Sequence, residues 1–185
     1  GMVLGGRYRI LALAGRGGMG NVYAAEDLKL GGRKRAVKET LHHDPDRFAR
    51  EAELLMKLSH PRLPEIVDYF PPGPDGYGYI VMEFVEGETL ADRLARTGFR
   101  MSVAEVLRIA LELCDIYRYL HGLAEGPVIY RDLKPSNIIL TAHGHLKLVD
   151  FGIARVEARP SSGDTAYLGT PGFAAPAQYR GKSGT

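Results

Sequence analysis

Apolar and polar residues alternate over short stretches in the first part of the chain. Three such stretches, RYRILALAG, NVYAAEDL and KRAVKET, follow one another from Arg7 and are separated by segments that contain glycine. Alternation with a period of two is typical of a strand with one buried face. The pattern therefore predicts three antiparallel strands.

The period changes after these strands. Apolar residues then recur at helical spacing, at Phe48, Leu54, Leu55 and Leu58. Asp44 and Pro45 suit the cap and the first turn of a helix, which we expect to run from about Pro45 to Leu58. Two further strands, LPEIVDYF and GYGYIVMEFV, are predicted on either side of the turn PPGPDG. The first lobe is thus expected to have five strands and one helix.

The second part of the chain begins with a long amphipathic helix, SVAEVLRIALELCDIYRYLHG. Ser102 and Glu105 have the spacing of a capping box. The apolar face predicted for this helix consists of Val106, Leu107, Ala110, Leu113, Cys114, Tyr117 and Leu120. Two short strands, NIIL and HLKLVDFG, follow around the turn TAHG, and residues 157–169 are expected to form a mobile loop.

Composition narrows the range of partners. The 185 residues include 24 Lys plus Arg and 22 Asp plus Glu, so charge gives no reason to expect a nucleic-acid or membrane-surface partner. The single cysteine, Cys114, excludes an intramolecular disulfide and fits a reducing compartment; its apolar, helical context predicts burial. No apolar run could span a bilayer and no leader resembles a secretion signal, so a cytoplasmic location is expected.

Glycines with G-x-G-x-x-G spacing occur in AGRGGMGNVY, at Gly15, Gly17 and Gly20. Glycine allows backbone N–H groups to approach an anion closely, but a glycine-rich hairpin is as often only a turn. A dinucleotide-binding motif should open a helix after its glycines, whereas here Val22 continues a strand. The pattern therefore disfavours a Rossmann site and leaves a phosphate-covering hairpin or a simple turn.

Charged and amide side chains occur within or at the end of apolar segments at three places. Lys38 ends an apolar run in AVKE and could be paired by an acid of the following helix. Asp132, Lys134 and Asn137 lie within YRDLKPSN, and Asp150 begins DFG. Asp and Asn oxygens suit Mg²⁺, and a carboxylate near a hydroxyl can accept its proton. Local capping in a turn would explain any one of these residues but explains the ordered set poorly.

Six segments in order, GRGGMGNVY, AVK, REAELL, YRDLKPSN, DFG and GTPGFAAPA, match the motifs of eukaryotic-like protein kinases. The chain most resembles bacterial Hanks-type Ser/Thr protein kinases. The resemblance implies an α+β, protein-kinase-like bilobal fold. Residues 1–84 would form an antiparallel five-stranded N-lobe with one helix, and residues 85–185 an incomplete, mainly helical C-lobe.

The resemblance also implies site residues in the N-lobe. Lys38 would contact the α- and β-phosphates of ATP, and Glu51 rather than Glu53 would pair with Lys38. Three glycines would cover the phosphates: Gly15, Gly17 and Gly20. Four apolar residues would enclose the adenine: Ala14, Val22, Ala36 and Ile139. Met82 would be the gatekeeper, and the backbone of Glu83 and Val85 would hydrogen-bond the base.

In the C-lobe, the resemblance implies that Asp132 orients and deprotonates the substrate hydroxyl. Lys134, in the DLKPSN form typical of Ser/Thr kinases, would neutralise the transferring phosphoryl group. Asn137 and Asp150 would hold Mg²⁺. The implied partners are ATP and a protein with a Ser or Thr acceptor.

Regulation is implied by Arg131, which precedes the catalytic Asp in kinases whose activation loop is phosphorylated. Thr165 is the favoured phosphorylation candidate, Thr170 is a second, and Ser161 and Ser162 are more simply explained by loop solubility. Thr170 also matches the residue that contacts the catalytic loop. Self-association for autophosphorylation in trans would then be expected, in a kinase domain that is either free in the cytoplasm or attached to a membrane anchor.

Two residues and the end of the chain depart from the family pattern. Tyr130 stands where His is usual, which is tolerable if its hydroxyl finds a partner. Ala177 replaces the Glu of the Ala-Pro-Glu motif, and the chain stops at Thr185, ahead of the helices that complete the second lobe. We therefore expect a Ser/Thr kinase. The alternatives are an ATP-binding module with weak or no catalysis, and a small-molecule phosphotransferase, which DLKPSN and GTPGF disfavour.

Overall fold

The computed structural model describes residues 1–17, 20–150, 155–156, 170 and 172–174. The chain divides into two compact units, Gly1–Val85 and Glu86–Thr185. The boundary inferred from the kinase resemblance, after residue 84, lies one residue from this division.

The first unit contains a sheet whose six described strands are all antiparallel, in the order β1-β2-β3-β4-β6-β5. The strands are β1 (Val3–Leu4), β2 (Tyr8–Gly17), β3 (Gly20–Asp27), β4 (Arg33–Leu41), β5 (Ile66–Phe70) and β6 (Tyr77–Glu83). Five of them match the predicted strands. The additional strand, β1, has two residues and is too short for alternation to reveal it.

Helix α1 (Pro45–Met56) begins where the sequence predicts. The Asp44 carboxylate accepts a hydrogen bond from the Arg47 N–H at 2.9 Å, and Pro45 occupies the first turn. The buried face consists of Phe48, Ala52 and Leu55. A Cβ atom on Gly78 would lie 2.7 Å from the Phe48 ring, so the glycine lets the helix approach β6.

An ion pair between a partly exposed arginine and a buried aspartate stabilises the end of β3. Asp27 is 0% exposed and accepts hydrogen bonds from Arg7 Nε at 2.9 Å and Arg7 Nη2 at 2.7 Å. Beside it, the Tyr8 hydroxyl donates to Asp68 at 2.9 Å. The bonds from Arg7 outweigh the effect of burial and lower the pKa of Asp27.

We expect Asp27→Ala to lower the free energy of unfolding by about 2–3 kcal/mol, because Arg7 loses its bidentate acceptor. The matched control is Glu26→Ala, which breaks the more exposed Arg9–Glu26 pair and should cost under about 1 kcal/mol. Chemical denaturation measures both. The lowered pKa means that the wild-type advantage is complete above the unfolded pKa of about 3.9 and declines as pH falls through the folded value. An equal loss of unfolding free energy in Asp27→Ala and Glu26→Ala would contradict the stabilising role of the Arg7–Asp27 pair.

The second unit contains helices α2 (Leu90–Arg96) and α3 (Val103–His121) and short strands. The Ser102 hydroxyl caps α3 by accepting the Glu105 N–H at 3.2 Å. Strands β7 (Glu88–Thr89), β9 (Ile138–Leu140) and β10 (Leu146–Leu148) form one sheet in the order β10-β9-β7. Strand β8 (Val128–Ile129) pairs with β11 (Arg155–Val156).

The buried face of α3 differs from the predicted one. The buried residues are Ile109, Glu112, Ile116 and Leu120. Of the predicted face only Leu120 is buried, and Val106, Leu107, Ala110 and Cys114 are exposed. The predictions of this face and of a buried Cys114 are therefore wrong. The helix is apolar around much of its circumference, so the period alone could not select the side that packs on β8 and β10.

Among the helices of the described residues, none has the length and the hydropathy that a membrane-spanning segment needs.

Candidate active site

The glycine-rich segment forms the hairpin of β2 and β3, in which Gly15 pairs with Val22 and Gly17 with Gly20. Gly20 has φ +133°, and a Cβ atom there would lie 1.8 Å from the Glu39 carbonyl oxygen. Only glycine allows this approach to β4. Ala14 lies at an irregularity in the β2–β3 register, on an exposed part of β2. Residues 18 and 19, at the tip, lie outside the described residues.

Lys38 lies at the centre of the sheet and is only 4% exposed. The register places Val22, Lys38 and Ile80 directly opposite one another across three strands. Directly opposite residues share a face, as do residues two apart on a strand. Ala36 and its partner Met82 therefore lie on the Lys38 face. The structure thus brings together four predicted nucleotide-binding residues of the first unit: Val22, Ala36, Lys38 and Met82.

The backbone that is predicted to hydrogen-bond the base of the nucleotide lies at and just after the end of β6. The Glu83 N–H donates to the Glu65 carbonyl at 2.8 Å, which fixes this segment against the one before β5. Val85 is the last residue of the first unit and lies outside the strand. The contact of these residues with a base stays a prediction.

The two acids considered as partners of Lys38 both lie on α1. The Glu51 carboxylate accepts a hydrogen bond from Arg47 Nε at 3.0 Å, and the Glu53 carboxylate accepts one from the Tyr69 hydroxyl at 3.2 Å. The pairing of Lys38 with Glu51 remains a prediction.

Asp132 is the centre of a hydrogen-bonded cluster in the second unit and is 5% exposed. Its Oδ1 accepts from the Thr170 hydroxyl at 2.6 Å, and its Oδ2 lies 2.7 Å from Lys134 Nζ. Lys134 Nζ also donates to the Thr170 hydroxyl oxygen at 2.9 Å. The structure therefore brings together Asp132, Lys134 and Thr170, although Thr170 is 38 residues from Asp132.

Asn137 completes the cluster from the 3₁₀ helix Pro135–Asn137. Its Nδ2 donates to the backbone carbonyl of Asp132 at 2.9 Å and to the Asp132 carboxylate at 3.1 Å. Because the amide nitrogen is directed at Asp132, the Asn137 carbonyl oxygen is the atom that can bind a hard cation.

Opposing effects set the pKa of Asp132. Burial raises it, but hydrogen bonds from Lys134 and Thr170, the charge of Lys134 and the Asn137 amide together lower the pKa below its usual value. Asp132 is therefore ionised at neutral pH and can accept a proton.

Tyr130 holds the backbone next to Asp150. Its hydroxyl donates to the Val149 carbonyl, and the Val149 N–H donates to the Asn137 carbonyl at 2.9 Å. Both sides of Val149 are thus fixed, and Asp150 follows in the left-handed region with φ +69°. The condition on which Tyr could replace His, a partner for its hydroxyl, is met. Burial raises the pKa of Tyr130 well above its usual value.

We expect Tyr130→Phe to lower the free energy of unfolding by about 1–3 kcal/mol, because the part-buried Val149 carbonyl loses the hydrogen bond from the Tyr130 hydroxyl. The control is Tyr117→Phe, since the Tyr117 hydroxyl makes no hydrogen bond among the described residues. Denaturant unfolding should show a smaller loss for the control. Equal losses of unfolding free energy in the two variants would show that the hydrogen bond from the Tyr130 hydroxyl does not contribute to stability.

Ile139, the predicted adenine contact of the second unit, lies on β9 opposite Thr89 and Lys147. Predictions that fall on Ser161, Ser162, Thr165 and Ala177 and on the loop 157–169 lie outside the described residues. Among the residues that are described, no three His, Cys, Asp or Glu side chains form a ready-made metal centre.

The comparison with known proteins gives the family. A family model described as protein kinase domain matches residues 8–183. The chain belongs to the protein kinase domain family. It is 39% identical to the serine/threonine-protein kinase PknA of Mycobacterium tuberculosis, over 98% of the chain and 43% of PknA. It is also 39% identical to the serine/threonine-protein kinase pkn2 of Myxococcus xanthus, over 97% of the chain and 22% of pkn2.

A third similar protein is the probable serine/threonine-protein kinase SCO3848 of Streptomyces coelicolor. It is 38% identical over 97% of the chain and 28% of that protein. The chain therefore spans less than half the length of these curated relatives. Kinases of this family use ATP with a divalent metal ion. The match confirms the predicted family and its bilobal α+β fold.

Proposed function

We propose that this chain is the catalytic region of a Ser/Thr protein kinase, which transfers the γ-phosphoryl group of ATP to a Ser or Thr hydroxyl of a protein. The observation that carries the proposal is the cluster of Asp132, Lys134, Thr170 and Asn137. The cluster combines an ionised carboxylate, a cation and two hydrogen-bonding side chains in one place.

Asp132 is the group that would accept the proton of the substrate hydroxyl. Among the described donors only Thr170 binds Oδ1, and a carboxylate oxygen has two lone pairs. Oδ1 can therefore accept a second hydrogen bond, from the incoming hydroxyl. The proton moves to this carboxylate as the hydroxyl oxygen bonds to phosphorus and the bond between the γ-phosphorus and the bridging oxygen breaks, which releases ADP.

Lys134 would act on the phosphoryl group in transfer. Its ammonium lies 2.7 Å from Asp132 Oδ2, and so it is held next to the position of the attacking hydroxyl. A cation fixed at this point stabilises the negative charge that spreads over the phosphoryl oxygens. Lys38, buried in the sheet, would bind the non-transferred phosphates.

Asn137 and Asp150 would hold Mg²⁺. The orientation of the Asn137 amide and the fixed backbone ahead of Asp150 fit a hard, oxygen-seeking cation. Phosphate and water would supply further ligands to the ion. When bound, it would neutralise phosphate charge.

The Thr170 hydroxyl bridges Asp132 and Lys134. Thr170 would therefore connect the choice of the acceptor residue, Ser or Thr, with the groups proposed for catalysis. As a phosphorylation site it remains a prediction, together with Thr165. Self-association for phosphorylation in trans is part of the proposal.

Transfer of label from γ-labelled ATP to a generic protein acceptor tests the proposed function. We expect labelled phosphoserine or phosphothreonine with Mg²⁺, none after chelation, and none with Lys38→Ala. If no label is transferred while ATP still raises the melting temperature, the protein is an ATP-binding module without catalysis and the proposed function is wrong. Label that persists in Lys38→Ala would contradict the assigned site.

A further inference from the structure

The carboxylate of Glu39, next to Lys38 on β4, receives hydrogen bonds from the glycine-rich hairpin. Asn21 Nδ2 donates to Glu39 Oε1 at 2.8 Å, and the Tyr23 hydroxyl donates to the same oxygen at 3.3 Å. Both donors lie on β3. Burial and the Glu39 carboxylate raise the pKa of the Tyr79 hydroxyl, on β6, to about 12.

The register shows which face carries these contacts. Asn21, Glu39 and Tyr79 lie directly opposite one another on β3, β4 and β6. Lys38 and Val22 face the other side, because neighbouring residues of a strand point to opposite faces. Strand β4 therefore presents the predicted phosphate-binding lysine on one face and a carboxylate bound to the hairpin on the other.

The hydrogen bond between Asn21 and Glu39 is important because of its position along the hairpin. Asn21 and Glu39 form the last pair between β3 and β4 before the hairpin tip. Gly20, the next residue, has no room for a Cβ atom beside the Glu39 carbonyl. Beyond this point the β3 ladder continues only to β2, through Gly17 and Gly20. The Asn21–Glu39 bond thus lies where the hairpin leaves the sheet.

We propose that Glu39 is a positioning residue for nucleotide binding. Its carboxylate holds Asn21 and so fixes the direction in which the glycine-rich hairpin leaves the sheet, without touching the nucleotide itself. This inference rests on the proposed function, because it assumes that the hairpin covers ATP phosphates. A fixed hairpin loses less conformational freedom when the nucleotide binds, which strengthens binding.

The test compares ATP affinity, by calorimetry with Mg²⁺, in three single variants. We expect Asn21→Ala to weaken ATP binding about 5- to 10-fold, the order expected when one intramolecular hydrogen bond of typical strength is lost. Glu39→Gln, which keeps an acceptor oxygen, should lose less. Tyr69→Phe is the matched control, since it removes a hydroxyl-to-glutamate bond elsewhere in the same unit, and should bind ATP like the wild type.

Two measurements separate positioning from general destabilisation. Amide hydrogen exchange should increase in residues 15–17 and 20–23 of Asn21→Ala while the rest of the sheet keeps its protection. In addition, Asn21→Ala should have little further effect on ATP affinity in a Glu39→Ala background.

The outcomes distinguish the two proposals. A wild-type protein that binds no ATP would overturn the proposed function. A wild-type protein that binds ATP, with equal affinity in Asn21→Ala, would leave that function standing and overturn the role of Glu39. An equal loss of affinity from Asn21→Ala with and without Glu39 would also overturn it.

Discussion

Asp132→Asn should lower the rate of phosphoryl transfer at saturating ATP by about 10²- to 10⁴-fold, the range lost when a general base is removed. Asn has nearly the shape of Asp, but its single carbonyl oxygen can replace only one of the two carboxylate oxygens that bind Thr170 and Lys134, and it cannot take the substrate proton. Because Asp132 is proposed to act on the acceptor hydroxyl, the dissociation constant of ATP should change little.

Steady-state transfer to a peptide, with ATP binding measured in parallel, checks this expectation. Asp46→Asn is a suitable control, since Asp46 lies in the first turn of α1 and has no proposed role. If Asp132→Asn kept a rate within a few fold of the wild type, Asp132 could not be the base. An equal loss in ATP affinity would instead indicate that the variant disrupts the nucleotide site.

Lys134→Ala is expected to produce the second large effect, a fall in rate of about 10²- to 10³-fold, as for other residues that stabilise transition-state charge. The variant should also change the pH dependence. Lys134 is one of the groups that lower the pKa of Asp132, so its removal should raise that pKa.

The direction of the pH effect follows from the role of Asp132 as a base. Activity requires ionised Asp132 and is lost as pH falls through its pKa, so the acidic limb of the rate profile should move to higher pH in Lys134→Ala. Lys134→Arg keeps the charge and should retain a limb closer to that of the wild type. An unshifted acidic limb in Lys134→Ala would show that Lys134 does not set the pKa of the base.

Alternation and turn chemistry sufficed to predict β2 to β6 and α1, because each of these elements carries a local signal in its own sequence. Asp44 and Pro45 marked the start of α1 correctly. The pair of residues in β1 was too short to show alternation. The face of α3 could not be predicted, since apolar residues surround most of that helix and only tertiary packing selects Ile109 and Ile116.

The candidate site, too, could be predicted from the sequence only in part. Asp132, Lys134 and Asn137 are close in sequence, so their proximity was predictable from one motif. The contact of Thr170 with them depended on the family resemblance, because nothing local connects positions so far apart. Glu39 was not singled out at all. Its bond to Asn21 depends on the register between β3 and β4, which periodicity alone does not determine.

The most direct test of the proposed kinase activity is transfer from γ-labelled ATP to four peptides that differ only in the acceptor residue: Ser, Thr, Tyr or Ala. The wild-type protein should label the Ser and Thr peptides with Mg²⁺ and leave the Tyr and Ala peptides unlabelled, and Asp132→Asn should label none above background. Saturating ATP binding without label on any peptide, or label that is independent of Asp132, would contradict the account.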